Sequence, residues 1–314
     1  MLAEVDRLEI LVVVDNYANT LLASAPGVTR APVGENGQLP SDTLLAEHGL
    51  CLLVKAERDG RTASILLDAG YSPIAAPRNL EWMGEPLEEV RALVVSHGHE
   101  DHVGAAVSLL ESAGKPPAVV HPSAFFGPRY WCSDDGDLFE VPRILQRDDL
   151  SQRGIHIVES EGPTTIADGV FLVTGEIPRE TPFELALPGA LREVDGQRVP
   201  DTVVDDQAVV VAVRDHGVVV ISGCAHAGIV NTIRYARELA AMRPLYAVVG
   251  GFHLSGTPFR EAIAPTIQAL RDEHPARLVP MHCTGVEATA RMRMAFGDRC
   301  TVSAVGTRLG FPFA

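Results

Sequence analysis

Two stretches of this 314-residue chain, Ala208 to Val213 (AVVVAV) and Val218 to Ile221 (VVVI), are unbroken apolar runs of strand length. A strand with one face in water alternates apolar and polar residues, so a run that is apolar throughout must be covered on both faces. Similar β-branched runs recur at Leu8 to Val14, Leu50 to Ala56, Ala63 to Leu67, Ala92 to Val95, Leu245 to Val249 and Arg277 to Met281. Among them lie segments with helical spacing: Ser72 to Met83, Pro86 to Val90, Val103 to Ser112, Ile229 to Ala241, Pro258 to Glu273 and Val286 to Phe296. Doubly covered strands with helices between them predict an α/β fold: two sheets face to face with helices outside, a four-layer α/β/β/α sandwich. The order of elements is alike in two halves, roughly 1–200 and 201–314, and residues 1–314 read as a single domain. Two stretches without a period, 16–47 and 181–206, are rich in Pro, Gly and charge and predict long loops of the kind that serve as lids or binding loops.

The chemistry concentrates in Val94-Val95-Ser96-His97-Gly98-His99-Glu100-Asp101-His102-Val103-Gly104, directly after a buried run and directly before a helix. Imidazole nitrogens and carboxylate oxygens are natural ligands of zinc, manganese and iron. In a strand-to-helix loop His97 and His99 aim to one side, while Asp101 and His102 point elsewhere, and Gly98 keeps the loop slim between them. That offers one pair to each of two neighbouring ions. Histidines in a polar turn are commonly just solvated, but four ligand-type residues at this spacing reverse that expectation.

Six positions do not close such a site, and three further segments follow one plan of strand, small residues, histidine and helix. They are Ser222 to Gly228 with Cys224 and His226, Gly250 to Leu254 with His253, and Met281 to Gly285 with His282 and Cys283. Histidines after three successive strands point to one end of a sheet, where α/β proteins collect their active sites. His121, His156, His216 and His274 fall in turns or on strand edges without ligand partners and read as packing or surface residues.

With these residues in view, His97-Gly98-His99-Glu100-Asp101-His102 resembles the His-x-His-x-Asp-His signature of the metallo-β-lactamase superfamily. The wider pattern is Glu47-His48-Gly49, Leu67-Asp68-Ala69-Gly70, Thr174 to Arg179, Ser222 to Gly228, Gly250 to Leu254 and His282 to Gly285. It is similar to the branch of dihydropterin/ribofuranosylaminobenzene-phosphate synthase-like metal-dependent hydrolases, over nearly the whole chain. The resemblance implies the αββα sandwich and a dinuclear centre with His97, His99, Asp101, His102 and His282 as ligands. One departure stands out. Where most of the superfamily has a histidine after the mid-chain strand and an acid or cysteine after the next, this chain reads Gly175-Glu176 and Gly223-Cys224. His226 is the expected replacement, with Cys224 as a thiolate ligand and Glu176 as an oxygen ligand the alternatives. Cys283 is expected to be a packed thiol.

The implied activity is that of a hydrolase with two divalent ions, Zn2+ first and Mn2+ or Fe next. Water on such ions ionises near pH ~7 and attacks a small anionic substrate, a phosphate or carboxylate ester, thioester or lactone. Asp101 holds the second ion and orients the nucleophile. His253, with no place left among six ligands, donates a hydrogen bond or proton to the substrate, or else only orients a ligand. Trp82 and Trp131, with Phe125, Phe126 and Tyr130, offer stacking surfaces for a planar group but fit a core role better, and Arg129 beside them could hold a phosphate. A synthase-type transferase and a non-catalytic metal-binding or sensory protein are the alternatives.

Lys+Arg 26 against Asp+Glu 41 gives −15, which repels nucleic acid and anionic membranes and leaves a small molecule as the partner. The same charge weighs against a nuclease. Five scattered cysteines do not form a secreted disulfide framework, the acidic N-terminus lacks the basic start of a signal peptide, and no apolar run approaches ~20 residues. The expectation is a cytoplasmic protein whose oligomeric state the residues leave open.

Overall fold

Alternate residues of the strand Ala208–Val213 go to opposite sides: Val209, Val211 and Val213 face one core, Val210 and Ala212 another. That division organises the molecule, whose computed structural model describes residues 2–34, 38–133, 135–184 and 186–313. The first core lies between two sheets, where Ile10, Val12, Leu52, Val54, Ile65 and Leu67 meet Val209, Val211, Val219, Ile221, Val249 and Val279. On the outer side of the first sheet, Leu11, Val13, Leu53, Leu66 and Leu93 pack with Leu80, Leu109 and Leu110 of the helices Ala75–Trp82 and Ala106–Ser112. On the outer side of the second, Val210, Val218, Val220, Val248 and Leu278 pack with the helices Ile229–Leu239, Ile263–Asp272 and Val286–Phe296. Full burial of each Val, Leu or Ile contributes about 1.5–3 kcal/mol, so the central strands of both sheets are held from both faces. The result is the four-layer α/β/β/α sandwich.

The first sheet has eight strands in the order Ile157–Glu159, Ala118–Val120, Val90–Val94, Arg61–Leu67, Cys51–Arg58, Arg7–Val14, Arg308–Phe311 and Val28–Thr29. The second runs Thr164–Ile166, Phe171–Val173, Ala208–Val213, Gly217–Ser222, Leu245–Gly251 and Arg277–Met281, with Glu4–Val5 added beside Ala208–Val213. Each end of the chain thus crosses over: Glu4–Val5 joins the second sheet and Arg308–Phe311 the first, while the second sheet already begins at Thr164. Within each sheet the strands that lead to the motifs are parallel neighbours: Arg61–Leu67 with Val90–Val94, and Gly217–Ser222 with Leu245–Gly251 and Arg277–Met281. Parallel pairing places the residues after their C-terminal ends on one edge. Among the described residues no helix is long and apolar enough to cross a membrane.

Three local expectations change. Pro86 to Glu89 is a bend and turn leading into Val90–Val94, not a helix, because Leu87 carbonyl already accepts from Val90 N in a tight turn. The helix expected over Val103 to Ser112 is two pieces, Glu100–Val103 and Ala106–Ser112, interrupted where Gly104 and Ala105 donate to the carbonyls of Gly70 and Ala69. Pro258 to Glu273 divides into a 3-10 turn, Thr257–Ala262, and the helix Ile263–Asp272. The stretch 181–206 is not simply a loop. It contains the hairpin Ala190–Val194 and Gln197–Pro200, which joins Arg129–Cys132 and Leu138–Glu140 in a separate four-stranded sheet. In 16–47 only Val28–Thr29 forms a strand among the described residues, and 35–37 lie outside them.

Candidate metal centre

The loop after Val90–Val94 turns on Gly98, where an added Cβ would lie 2.4 Å from the carbonyl oxygen of Ala124, so only glycine fits. Gly98 N donates to Asp205 Oδ2 at 2.7 Å, and Asp205 Oδ1 accepts from Arg129 Nη2 at 2.6 Å. The backbone between His97 and His99 is therefore clamped from across the molecule. His97 Nε2 lies 3.0 Å from His99 Nδ1 and 3.2 Å from His226 Nε2, which the second sheet supplies. On its other side His97 Nδ1 meets Ser96 Oγ at 2.9 Å, and that hydroxyl donates to Asp68 Oδ2 at 2.7 Å. The proton of His97 accordingly sits on Nδ1 and its Nε2 presents a lone pair. His97, His99 and His226 form one group able to hold a metal ion, with ligand atoms within 4.8 Å of one another.

The second group is Asp101, His102 and His282. Asp101 Oδ2 stands 3.1 Å from His282 Nε2 and 3.6 Å from His102 Nε2. His102 Nδ1 donates to Asp68 Oδ2 at 2.7 Å, and His282 Nδ1 to Asn16 Oδ1 at 2.8 Å. Gly49 N also donates to that Asn16 oxygen, which settles the orientation of the amide. Each outer ring nitrogen is thus held by an oxygen, leaving Nε2 free to ligate, the usual way a protein orients imidazole ligands. Cys224 lies between the groups: its Sγ is 3.1 Å from His102 Nε2 and clusters also with His97, His226 and His253, and with His282 and Cys283.

The donor set fits a cation. Three ring nitrogens crowd one point beside His97, and a single hydrogen bond would satisfy one pair where an ion satisfies all three. His282 Nε2 is buried without a hydrogen-bond partner although a carboxylate oxygen faces it. Burial, then the neighbouring histidines, hold His97 and His226 well below the ordinary imidazole range, and burial with the Arg129 charge brings His99 to about 4. These rings are neutral, ligand-ready bases at pH 7. Burial alone would lower His102, but Asp101 and Asp68 outweigh it and raise the ring to about 9. The same burial would raise Asp101, and the charges of His102 and His282 hold it well below the usual carboxylate range instead. Burial pushes the Cys224 thiol well up, so it needs a cation to become a thiolate.

Both groups open on a cavity of about 870 Å3. His253 lines it, with its ring 4.3 Å from that of His226, φ of +44° and a buried, unpartnered Nδ1. Cys283, expected to be packed away, lies on the same wall with only 8% exposure. Tyr130 and Trp131 form part of the rim, whereas Trp82, Phe125 and Phe126 are not among the lining residues. Arg129 does not reach out as a phosphate hook: Asp201 and Asp205 hold its guanidinium at 3.1 and 2.6 Å. Glu176 is exposed and belongs to no ligand group, because Gly175 turns the chain outward and Glu176 N donates to Glu161 O.

Several residues at the centre were given no role by sequence reasoning, although Asp68, His48 and Arg179 fall within the wider pattern quoted above. Asp68 is fully buried at φ +63° and accepts from Ser96 N, Ser96 Oγ and His102 Nδ1, all at 2.7 Å. Its place directly after the run Ala63 to Leu67, at a strand end like the other site residues, was the available signal. Arg179 donates to the backbone carbonyl of His226 at 2.6 Å, and Asp15 Oδ1 accepts from His282 N at 2.9 Å. His48 comes within 3.4 Å of Asp101 at the rim. Asp15 follows the apolar run Leu8 to Val14 in the same way as Asp68 follows its own, whereas Asn16 opens the stretch 16–47, which has no periodic signal.

The sequence matches the profile of the Metallo-beta-lactamase superfamily over residues 46–241. It is 28% identical, over 77% of this chain and 83% of the relative, to the 7,8-dihydropterin-6-methyl-4-(beta-D-ribofuranosyl)-aminobenzene-5'-phosphate synthase of Methanocaldococcus jannaschii. An uncharacterized protein of the same organism is 30% identical over 79% of this chain and 88% of its own length. Among solved structures, a metal-dependent hydrolase of the beta-lactamase superfamily superposes with a TM-score of 0.71 at 23% identity, covering 96% of this chain and 98% of that one. With the profile spanning more than half of the residues and the sandwich shared, the chain belongs to the metallo-beta-lactamase superfamily.

Proposed function

We propose that this protein is a hydrolase working with two divalent ions, one at His97, His99 and His226 and the other at Asp101, His102 and His282, with Cys224 between them. The observation that carries the reading is that two three-ligand groups, drawn from both sheets, open on one cavity. Nitrogen and carboxylate donors suit zinc, with manganese and iron next. Ions bound there supply an activated water at neutral pH and polarise the substrate's carbonyl or phosphoryl oxygen. Asp101 keeps a carboxylate oxygen between His102 and His282 and orients the attacking group. Asp68 and Asn16 hold the ligating faces of His102 and His282 inward. His253 on the cavity wall donates to the substrate or leaving group. Asp101 is the only carboxylate in the two ligand groups, so the loaded centre keeps excess positive charge and draws a small anionic ester, thioester or lactone despite the acidic surface. The five cysteines are free, in keeping with a reducing, cytoplasmic setting.

Elemental analysis after chelator-free purification and metal supplementation tests the reading: two ions per chain are expected, and a value near zero ends it. A screen of phosphodiesters, thioesters and lactones then identifies the bond cleaved. The matched synthase supports a second reading, transfer rather than hydrolysis, in which a dihydropterin is joined to an aminobenzene ribosyl phosphate. Formation of that product by the metal-loaded protein, with no hydrolysis of any ester, would favour it.

A further inference from the structure

Two thiols line the centre's cavity, and the ligand groups proposed above use at most one of them. Cys224 follows the strand Gly217–Ser222 and Cys283 follows Arg277–Met281, with Leu245–Gly251 between the two. Their sulfurs lie within 4.8 Å of each other, and Cys283 Sγ is 3.6 Å from the carbonyl oxygen of Cys224. The intervening strand leaves the gap open because it ends in glycine. A Cβ on Gly251 would stand 2.6 Å from Cys283 Sγ and 3.3 Å from Cys224 Cα. A disulfide needs its sulfurs at about 2.05 Å, so closing the bond requires the two sulfurs to move together from their present spacing. Of the remaining cysteines, Cys51 and Cys300 are buried, and neither they nor Cys132 line this cavity.

We propose that Cys224 and Cys283 form a peroxide-oxidisable dithiol whose disulfide disarms the metal centre. The cavity that admits substrate admits hydrogen peroxide. Cys283, the more exposed of the two at 8% against 3%, attacks one peroxide oxygen, becoming a sulfenic acid as the second oxygen leaves as water. The Cys224 thiol then displaces the sulfenic oxygen as a second water and closes the S–S bond. Two thiols and one peroxide are converted to one disulfide and two waters. Cys224 Sγ, drawn towards Cys283, leaves its place 3.1 Å from His102 Nε2 and can no longer serve as a thiolate ligand. The consequence for the metal rests on the proposed centre; the cross-link does not.

The full-length chain, metal-free and metal-loaded, is treated with a small excess of hydrogen peroxide and analysed by non-reducing peptide mass mapping, thiol titration and metal analysis. The expected result is loss of two of the five thiols, a 224–283 cross-linked peptide lighter by two hydrogens, and release of bound metal that returns after reduction and re-addition of the ion. Cys283→Ser and Cys283→Ala should each abolish the cross-link while keeping the circular dichroism spectrum, and Cys51→Ala should retain it. Sulfinic acids without a cross-link, a cross-link between other cysteines, or a 224–283 cross-link with metal still bound would overturn the proposal. Reduced protein that takes up no metal marks failure of the metal-centre reading instead, because the cross-link is scored by mass whether or not metal is present.

Discussion

Asp68 shows how much of the centre depends on a residue that belongs to neither ligand group. It receives three hydrogen bonds in full burial and fixes both His102 and the Ser96 hydroxyl behind His97. Asp68→Asn keeps the shape but substitutes a donor for one acceptor, so metal affinity should fall about 10–100-fold, read by competition against a chromophoric chelator, while the fold persists. An unchanged affinity would mean that His102 is held by packing alone. Asp101→Asn removes the only carboxylate from the ligand groups; turnover should fall steeply with the circular dichroism spectrum unchanged, and wild-type rates at unchanged metal content would contradict its assigned role. The acids that raise His102 to about 9 also mean that the metal-free ring is protonated at pH 7. Metal uptake must expel that proton, so weakly buffered titration at pH 7 should record proton release and affinity should weaken as pH falls.

At the scale of elements, one departure from sequence periodicity lies beside the centre. Val103 to Ser112 carries a continuous helical pattern, yet the chain breaks at Gly104 because the strand-end loop Ala69 to Tyr71 packs directly against it. A Cβ on Gly104 would stand 1.9 Å from Tyr71 O. Gly104→Ala should therefore cost about 1–3 kcal/mol through overpacking and displace His102, two residues away. Thermal unfolding of the metal-free chain and metal content of the loaded chain should fall together, and a loss of stability with full metal binding would show the loop moving independently. The hairpin within 181–206 did carry a local signal, the two-residue turn Asp195-Gly196 that joins its strands. Its pairing with Arg129–Cys132 across about 60 residues, and the Arg129–Asp205 pair, lie outside any local window.

Over the whole molecule, stability comes from the core between the sheets and is opposed by polar groups buried at its end. Leu52 is fully buried in that core, and Leu52→Ala should cost about 2–5 kcal/mol, read as a shifted denaturant midpoint with metal binding retained in the folded fraction. His97, His99 and His226 are held neutral, and each has a folded pKa below its unfolded value near 6.5. Below that pH the unfolded chain takes up protons that the native state refuses, so these three groups make stability fall as pH drops from about 6.5 towards 4. Asp206, raised by burial to about 7, acts in the opposite sense over the same range, as do Asp15, Glu100 and Glu184, which burial also raises. His102, raised to about 9, contributes stability fully present below pH 6.5 and lost as pH rises through 9. Urea unfolding of the metal-free chain should show a smaller loss of stability between pH 6.5 and 4 in His99→Gln than in the wild type, and identical pH slopes would show that this histidine is solvated.

The sequence by itself determined what local composition can encode. Unbroken apolar runs demanded cover on both faces and hence the layered sandwich, and a histidine-rich segment at a strand end, with three more histidines after later strands, marked one edge as the site of chemistry. His226, which repeats the same strand-to-helix plan, was the expected replacement for the missing mid-chain ligand, and it lies in one group with His97 and His99. Which groups come within ligating distance was decided only by the packing of one sheet on the other, which sets His226 3.2 Å from His97 and turns Glu176 to the surface. Tertiary structure alone likewise brought Asp68, Asn16 and Asp205 behind the ligands and set Cys224 beside Cys283. Hydrophobic patterning acts over a few neighbouring residues, whereas hydrogen bonds and metal ligation depend on ångström-scale distances between distant segments, 267 residues apart in the case of Asp15 and His282.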